Sequence, residues 1–295
     1  METKAGFVAV IGRPNAGKST LLNHLVEEKI AMVSKKAQAT RKRMLMIVIH
    51  KNAQIVFVDT PGIHKKEKLL NQFMLQEALK AMGDSDLILF LAPASDKLEE
   101  YERFLMLDES KTKKHIILLT KIDQVSQAKL LQKLHEYQVY QDRFEAIIPF
   151  SVNKSVGKKA LLDEISKHLS SSPYLYDEET ITDEYIRNIY KEFIREAIFE
   201  NLSDELPYES DVLIERIEEG DKLDKISATI VVEKEIQKRM VVGKNGAAIK
   251  RIGKMARESI EVLSDKKAFL DLVVVVKKGW SKNKEELAHF GYIIE

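Results

Sequence analysis

Residues 12–19 read Gly-Arg-Pro-Asn-Ala-Gly-Lys-Ser, the pattern G-x-x-x-x-G-K-[ST], directly after an apolar run that ends at Ile11. These residue types suit the wrapping of a polyphosphate. Gly12 and Gly17 let the backbone N–H groups around Asn15 and Ala16 close on phosphate oxygens. A helix starting near Lys18, Ser19 and Thr20 adds the positive potential of its N-terminus. Lys18 reaches the β- and γ-phosphates, and the Ser19 hydroxyl ligates Mg2+.

Two more short motifs follow in order. Asp59-Thr60-Pro61-Gly62 closes the apolar run Ile55–Val58. A carboxylate there holds Mg2+ through water, and the Gly62 N–H faces a γ-phosphate. Thr120-Lys121-Ile122-Asp123 closes another run and fits [NT]-K-x-D, in which Asp123 accepts both N–H donors of guanine's N1/N2 edge. Adenine offers no such donor pair, so the motif separates GTP from ATP. Alone, these four residues would also suit a helix cap; their place after the other two motifs carries the reading. Ser151-Val152 ends a sixth run, where a backbone N–H would meet guanine O6.

Side chains with these tasks must sit at strand ends, and the pattern supplies the strands. Phe7–Ile11, Met44–Ile49, Ile55–Val58, Leu87–Leu91, Ile116–Leu119 and Ile147–Phe150 are short and rich in Val, Ile, Leu and Phe, as buried strands are. Amphipathic stretches such as Leu69–Met82 and Ala128–Tyr137 lie between most of them. The alternation predicts an α/β fold, a doubly wound mixed sheet over residues 1–172. Lys51-Asn52 marks a turn that makes its two flanking strands an antiparallel hairpin at one edge. Ser170–Ser172 and Pro173 break the last helix, and residues 173–182 read as an acidic linker. Thr182 is then placed to N-cap a helix with Asp183 and Glu184 in its first turn. Ile186, Ile189, Tyr190, Phe193, Ala197 and Ile198 repeat along that helix. Strands at Val212–Ile217, Ile226–Val232 and Phe269–Val276, with a helix–turn–helix between the last two, complete a smaller α+β domain over residues 183–295.

Composition removes several classes. With 44% hydrophobic and 32% charged residues the chain has material for real cores, which excludes a disordered chain. Cys is absent, so disulfides, thiolate metal sites and a catalytic Cys are excluded. None of the seven His residues pairs with another at metal-ligand spacing. With no signal peptide and no apolar stretch near the ~18 residues of a membrane span, the expectation is a soluble cytoplasmic protein. Charge is uneven: residues 173–221 are net −12 and residues 225–284 net +9. A basic block of that size suits a polyanion.

Within it, Gly243-Lys244-Asn245-Gly246 joins a short apolar helix to a longer basic one. The glycines permit close phosphate approach, Lys244 adds charge, and the longer helix presents Lys250, Arg251, Lys254 and Arg257. Ile249, Ile252 and Ala256 read as core, while Val274, Val276 and the Val231–Val232 pair offer an apolar surface for bases. Trp280, the single Trp, either stacks a base or anchors the chain's end; the anchor is the expectation.

The three motifs at residues 12–19, 59–62 and 120–123 resemble the translation-factor-related branch of P-loop GTPases over residues 6–170. Lys36-Ala37-Gln38-Ala39-Thr40-Arg41 resembles a switch segment of the Era family. The C-terminal element order resembles a type II KH domain, whose G-x-x-G loop clamps about four single-stranded nucleotides. Together they resemble the Era family across nearly the whole chain. That resemblance implies GTP hydrolysis served by Lys18, Thr40 and Gly62, with Thr40 joining Ser19 and Asp59 around Mg2+. It implies GTP or GDP and Mg2+ as cofactors, and K+ as a candidate fixed cation through Asn15. The implied partners are the 16S rRNA 3′ end and the 30S subunit, with peripheral association at the cytoplasmic membrane, and the implied state is a monomer. The mechanism expected from these parts is that ordering of Thr40 and the loop after Asp59 repositions the GTPase domain against residues 173–221 and changes RNA access or affinity at residues 243–246.

Several residues depart from the wider pattern. Thr120 stands where Asn is commoner and Val152 where Ala is usual. Ile63 stands where Ras-like enzymes carry a water-positioning Gln, so intrinsic hydrolysis is expected near ~10⁻⁴ s⁻¹. His64 reads as a solvated switch-loop residue. Two other functions remain open from the sequence: a membrane-associated signalling GTPase, and an RNA-binding structural factor that holds nucleotide without turning it over.

Overall fold

Six apolar runs form one twisted sheet and three form a second. The computed structural model describes residues 2–34, 40–62, 69–202 and 206–293. Lys36, Ala37, Gln38, Ala39, Ile63 and His64 lie outside the described residues. The chain divides into two units, one of residues 1–27, 40–65 and 74–183, the other of residues 28–39, 66–73 and 184–295.

The elements of the first unit run β1 (Lys4–Ile11), α1 (Lys18–Val26), β2 (Met44–His50), β3 (Ala53–Asp59), α2 (Leu69–Asp84), β4 (Leu87–Pro93), α3 (Glu99–Leu105), α4 (Asp108–Thr112), β5 (His115–Thr120), α5 (Gln127–Tyr137), β6 (Ala146–Pro149) and α6 (Lys158–His168). The sheet order is β2-β3-β1-β4-β5-β6. Every pair is parallel except β2 with β3, the expected edge hairpin. Strands β3, β4 and β5 are buried at every position, which is why their sequences show no polar alternation. β1 lies between β3 and β4, so the chain leaves it to opposite sides. The crevice at the carboxyl ends of strands around such a reversal is where open α/β sheets bind ligands, and all the N-terminal motifs sit at those ends.

Helices α3 and α4 were not evident from the pattern. Tyr101 and Phe104 of α3 are buried against Phe90, with ring centroids 5.4 and 4.7 Å away. The Tyr101 hydroxyl lies 2.8 Å from His115 Nε2. Burial pushes His115 down to about 4, so this histidine is a neutral core residue.

The stretch expected as a linker is bonded to the first unit. Ser171 forms a bridge with Lys4. The fully buried Gln54 side chain accepts from the N–H of Leu175 and Tyr176 and donates to the Tyr176 carbonyl. Ile47 N–H donates to the Ile181 carbonyl at 2.9 Å. Thr182 caps no helix: its hydroxyl donates to the Leu45 carbonyl at 2.7 Å, a tertiary acceptor that outcompetes the local one. The helix begins instead at Ile186, after Tyr185.

The second unit contains α7 (Ile186–Asn201), β7 (Ser210–Glu218), β8 (Leu223–Val232), α8 (Glu235–Val242), α9 (Ala247–Ser264), β9 (Lys267–Val276) and α10 (Lys284–His289). This is the expected α-β-β-α-α-β order. β8 is central, antiparallel to β7 and parallel to β9. Ala248, Ile252, Ala256 and Ile260 form the buried stripe of α9, while Ile249 is only half-buried. The valine expectation is out of phase. Val231, Val232 and Val274 belong to the core, whereas Val273 and Val275 are exposed. Trp280 is fully buried with its ring centroid 4.9 Å from that of Phe290, which settles its role as the anchor. Residues 28–34, which follow α1, also belong to this unit, where Lys29 Nζ lies 3.0 Å from Glu196 and 3.1 Å from Ser259.

Candidate functional site

The phosphate loop leaves β1 at Ile11 and enters α1 through Gly17, whose φ is +102°. Asn15 also takes a positive φ, +61°. Lys18 is buried and donates to the carbonyls of Gly12 and Arg13 at 3.0 and 3.3 Å. Desolvation pushes its ammonium down to about 8, against the pull of Asp59. Thr20 is exposed on the first turn of α1.

Ser19, Thr40 and Asp59 converge as the sequence anticipates. Ser19 Oγ is 3.1 Å from Thr40 Oγ1 and donates to Asp59 Oδ2 at 3.0 Å, while Thr40 Oγ1 reaches the same oxygen at 3.4 Å. Asp59 is fully buried at the end of β3, and burial pushes its carboxyl up to about 6. Its Oδ1 has no hydrogen-bond partner among the described residues. A buried carboxylate oxygen without a donor costs several kcal/mol of desolvation by general estimates, roughly 1–3 and more when charged, and a hard divalent cation held by oxygens removes that cost. Two hydroxyls and a carboxylate fit Mg2+.

Thr60 turns its hydroxyl to the Val10 carbonyl at 2.7 Å, fixing the exit of β3 against β1. Pro61 and Gly62 are buried beside it. A Cβ on Gly62 would stand 2.8 Å from Pro14 N and Cγ, so only glycine lets this loop reach the phosphate loop.

At the end of β5, Thr120 donates from its hydroxyl to the Ala16 carbonyl at 3.1 Å, and Lys121 donates to the Asn15 carbonyl at 2.7 Å. Thr120 thus ties the end of β5 to the phosphate loop without the side-chain carbonyl of an Asn. Asp123 is held from both sides. Its Oδ1 accepts from the Ser151 hydroxyl at 2.7 Å, and Oδ2 accepts from Asn153 Nδ2 at 2.9 Å. Those two bonds keep its carboxyl below the usual carboxylate range, which favours the charged acceptor form. Ser151 therefore acts through its side chain: its own N–H is spent on the Val156 carbonyl at 3.1 Å, and Val152 is the residue that follows at the mouth of the turn. Asn153 was missed, although it stands in the same Ser-Val-Asn tripeptide. Replacing Asn153 with Ala should weaken GDP binding about tenfold, the scale of one hydrogen bond to a charged group, measured by displacement of a fluorescent GDP. Unchanged affinity would remove Asn153 from the base site.

In the second unit, Gly243, at φ +73°, ends α8, and its N–H donates to the Arg239 carbonyl at 2.8 Å. A Cβ there would stand 2.8 Å from Ala248 N, so this turn requires glycine. Lys244 and Asn245 are exposed at the loop tip, and Gly246, at φ +76°, starts α9. Lys250, Arg251, Lys254 and Arg257 are exposed along that helix. Apolar surface on α8 comes from Ile236 and Met240, 65% and 45% exposed one turn apart, which composition alone did not single out. Among the described residues no group of His, Asp or Glu forms a further metal cluster, and no helix is long and apolar enough to cross a membrane.

Comparison with known proteins agrees with this fold. A family model described as a 50S ribosome-binding GTPase matches residues 7–121, and a KH-domain model matches residues 194–281. The GTPase Era of Helicobacter pylori is 53% identical over 298 residues, covering 99% of this chain and 98% of that protein. A crystal structure of a variant of Aquifex aeolicus Era bound to GDP·AlF4− superposes with a TM-score of 0.94 at 32% identity, over 99% of this chain and all of that one. A structure of Era with MgGDPNP and nucleotides 1506–1542 of 16S ribosomal RNA superposes equally well at 33% identity, with the same coverage of both chains. Identity at this level over the full length, on this fold and with these motifs in this order, places the chain in the GTPase Era family.

Proposed function

We propose that this GTPase grips the 3′ end of 16S rRNA through the loop at residues 243–246 and serves assembly of the 30S subunit, with bound GTP setting the grip. The observation that carries it is the glycine-bounded loop with exposed Lys244 at the head of basic helix α9, on the same chain as a guanine nucleotide site. Paired glycines between helices favour a nucleotide backbone over anionic lipid, because lipid attraction needs only charge. The related Era structure holding both MgGDPNP and the rRNA fragment supports the same assignment.

The chemistry follows from the residues described above. A bound Mg2+ would supply charge neutralisation for phosphoryl transfer. Ser19, Thr40 and Asp59 are the groups proposed to hold it. Lys18, in place beside them, exchanges its loop carbonyls for phosphate oxygens, and the backbone at Gly62 lies against the phosphate loop to sense the γ-phosphate. Thr40 belongs to the cation site and to the segment that resembles a switch, so loss of the γ-phosphate releases it.

The test is a charge reversal that leaves the fold alone. Lys244→Glu should weaken binding of an rRNA 3′-end oligonucleotide about tenfold and flatten its salt slope by about one to two counterions. GTP hydrolysis without RNA should not change. Equal RNA affinity in the variant would refute the loop as the RNA site.

K+ completes the proposal at the nucleotide. Asn15 stands at positive φ at the tip of the phosphate loop, placed to offer oxygen to a monovalent cation that substitutes for an arginine finger. Hydrolysis should then be at least severalfold faster in K+ than in Na+ at equal ionic strength. Equal rates would remove the cation from the mechanism.

A further inference from the structure

A phosphate cradle works only if its N–H groups point inward, and a trans peptide aims its N–H opposite to its C=O. Every carbonyl of the phosphate loop therefore needs a donor on its outer side. Lys18 Nζ serves Gly12 and Arg13, the Arg13 carbonyl also accepting from the Ala16 N–H at 3.2 Å; Lys121 Nζ serves Asn15, Thr120 Oγ1 serves Ala16, and the Leu21 N–H serves Gly17. Pro14 is the remaining one. Its carbonyl accepts from Arg13 Nη1 at 2.7 Å. The rest of that guanidinium is engaged by Asp96, Nε to Oδ2 at 2.5 Å and Nη2 to Oδ1 at 2.7 Å, a two-pronged pair. Asp96 is itself 13% exposed and stands in a tight turn after β4, its N–H on the Pro93 carbonyl at 2.9 Å. The neighbouring Ala94 N–H donates to the Thr120 carbonyl at 2.8 Å, so the turn is tied to the base-reading strand.

We infer that Arg13 and Asp96 form a positioning pair for the nucleotide site: Asp96 fixes the Arg13 guanidinium, which holds the Pro14 carbonyl outward and so turns the Asn15 N–H toward the phosphates. The pair touches no nucleotide. It acts on the loop's geometry, and Pro14 is also the residue that Gly62 packs against, so the same pair sets the wall on which the γ-phosphate loop rests. Lysine cannot replace Arg13, because a single ammonium cannot hold both carboxylate oxygens and the Pro14 carbonyl in one plane.

The inference rests on residues 12–19 being a phosphate cradle, and the test separates the two. The affinities of GDP and GMP are measured by competition for the full chain and for Asp96→Asn, Arg13→Lys and the double variant. GMP reports base and ribose binding; GDP adds the β-phosphate. Each single variant should lose about tenfold in GDP affinity, the scale of a charge-assisted bond, with GMP affinity changed less than twofold. The double variant should be no worse than the poorer single one, because both changes break one device. Intact GDP preference in both single variants, or equal losses for GDP and GMP, overturns the positioning pair. An unmodified protein that binds GMP as tightly as GDP would instead overturn the cradle itself.

Discussion

Asp123→Asn should convert the site from guanine to xanthine. The proposed role of the carboxylate is to accept both donors of guanine's N1/N2 edge, and bonds from Ser151 and Asn153 fix its orientation. An amide offers one acceptor and one donor, so it leaves a guanine donor unpaired and instead complements the C2 carbonyl of xanthine. Sites that hydrogen-bond a substrate group reject the analogue lacking it by large factors, up to about 10⁴. GTP affinity should fall at least about a hundredfold and XTP should become the better ligand. The check is kcat/KM for both nucleotides in one buffer. Retained guanine preference would show that Asp123 does not read the base.

Asp59→Asn should have the next largest effect, on the chemical step. Asp59 Oδ2 gathers the hydroxyls of Ser19 and Thr40, and Oδ1 is buried without a donor among the described residues. The amide keeps the shape but removes the charge that holds the cation, so hydrolysis should fall by about 10² or more, as loss of preorganised charge stabilisation does. GDP affinity should change only a few-fold, since the loop at residues 12–19 and the base contacts persist. Single-turnover phosphate release over a Mg2+ series reads both, and chelating Mg2+ should bring the unmodified protein to the variant's rate. Because burial pushes Asp59 up to about 6, a proton competes with the cation below that pH. The Mg2+ needed for half-maximal hydrolysis should therefore rise as pH falls through 6 and level off above it. A variant as fast as the unmodified chain would place the cation elsewhere.

What could be read without coordinates was whatever chemistry is encoded in contiguous residues. The loop at residues 12–19, the Asp59 and Asp123 motifs and the turn at residues 243–246 each carry their proposed chemistry within a few positions, and the first three lie at strand ends as the pattern requires. The six strands of the first sheet and the order of the second unit were equally legible, because runs of Val, Ile and Leu bounded by turns have few other uses. What failed was set by partners distant in sequence. Thr182 has the side chain of an N-cap, but a free carbonyl at Leu45 lies within reach. The run from Val273 to Val276 is apolar at four successive positions, so no alternation fixes which two face out, and packing against α9 decides. Asp96 and Asn153 serve residues 83 and 30 positions away; nothing local marks Asp96, and only its place beside Ser151-Val152 marks Asn153. The membership of residues 28–34 in the second unit was likewise invisible, since Lys29 meets Glu196 and Ser259, 167 and 230 positions away.

In the proposed cycle, the bound guanine nucleotide sets the chain's hold on RNA. Fluorescence anisotropy of a single-stranded 16S rRNA 3′-end oligonucleotide tests it most directly, with GDP or a non-hydrolysable GTP analogue bound, over a salt series. Tighter binding in the GTP-analogue state is predicted, with log affinity falling linearly in log salt at a slope worth a few phosphate contacts. Superimposed curves for the two nucleotides at every salt concentration would contradict the coupling.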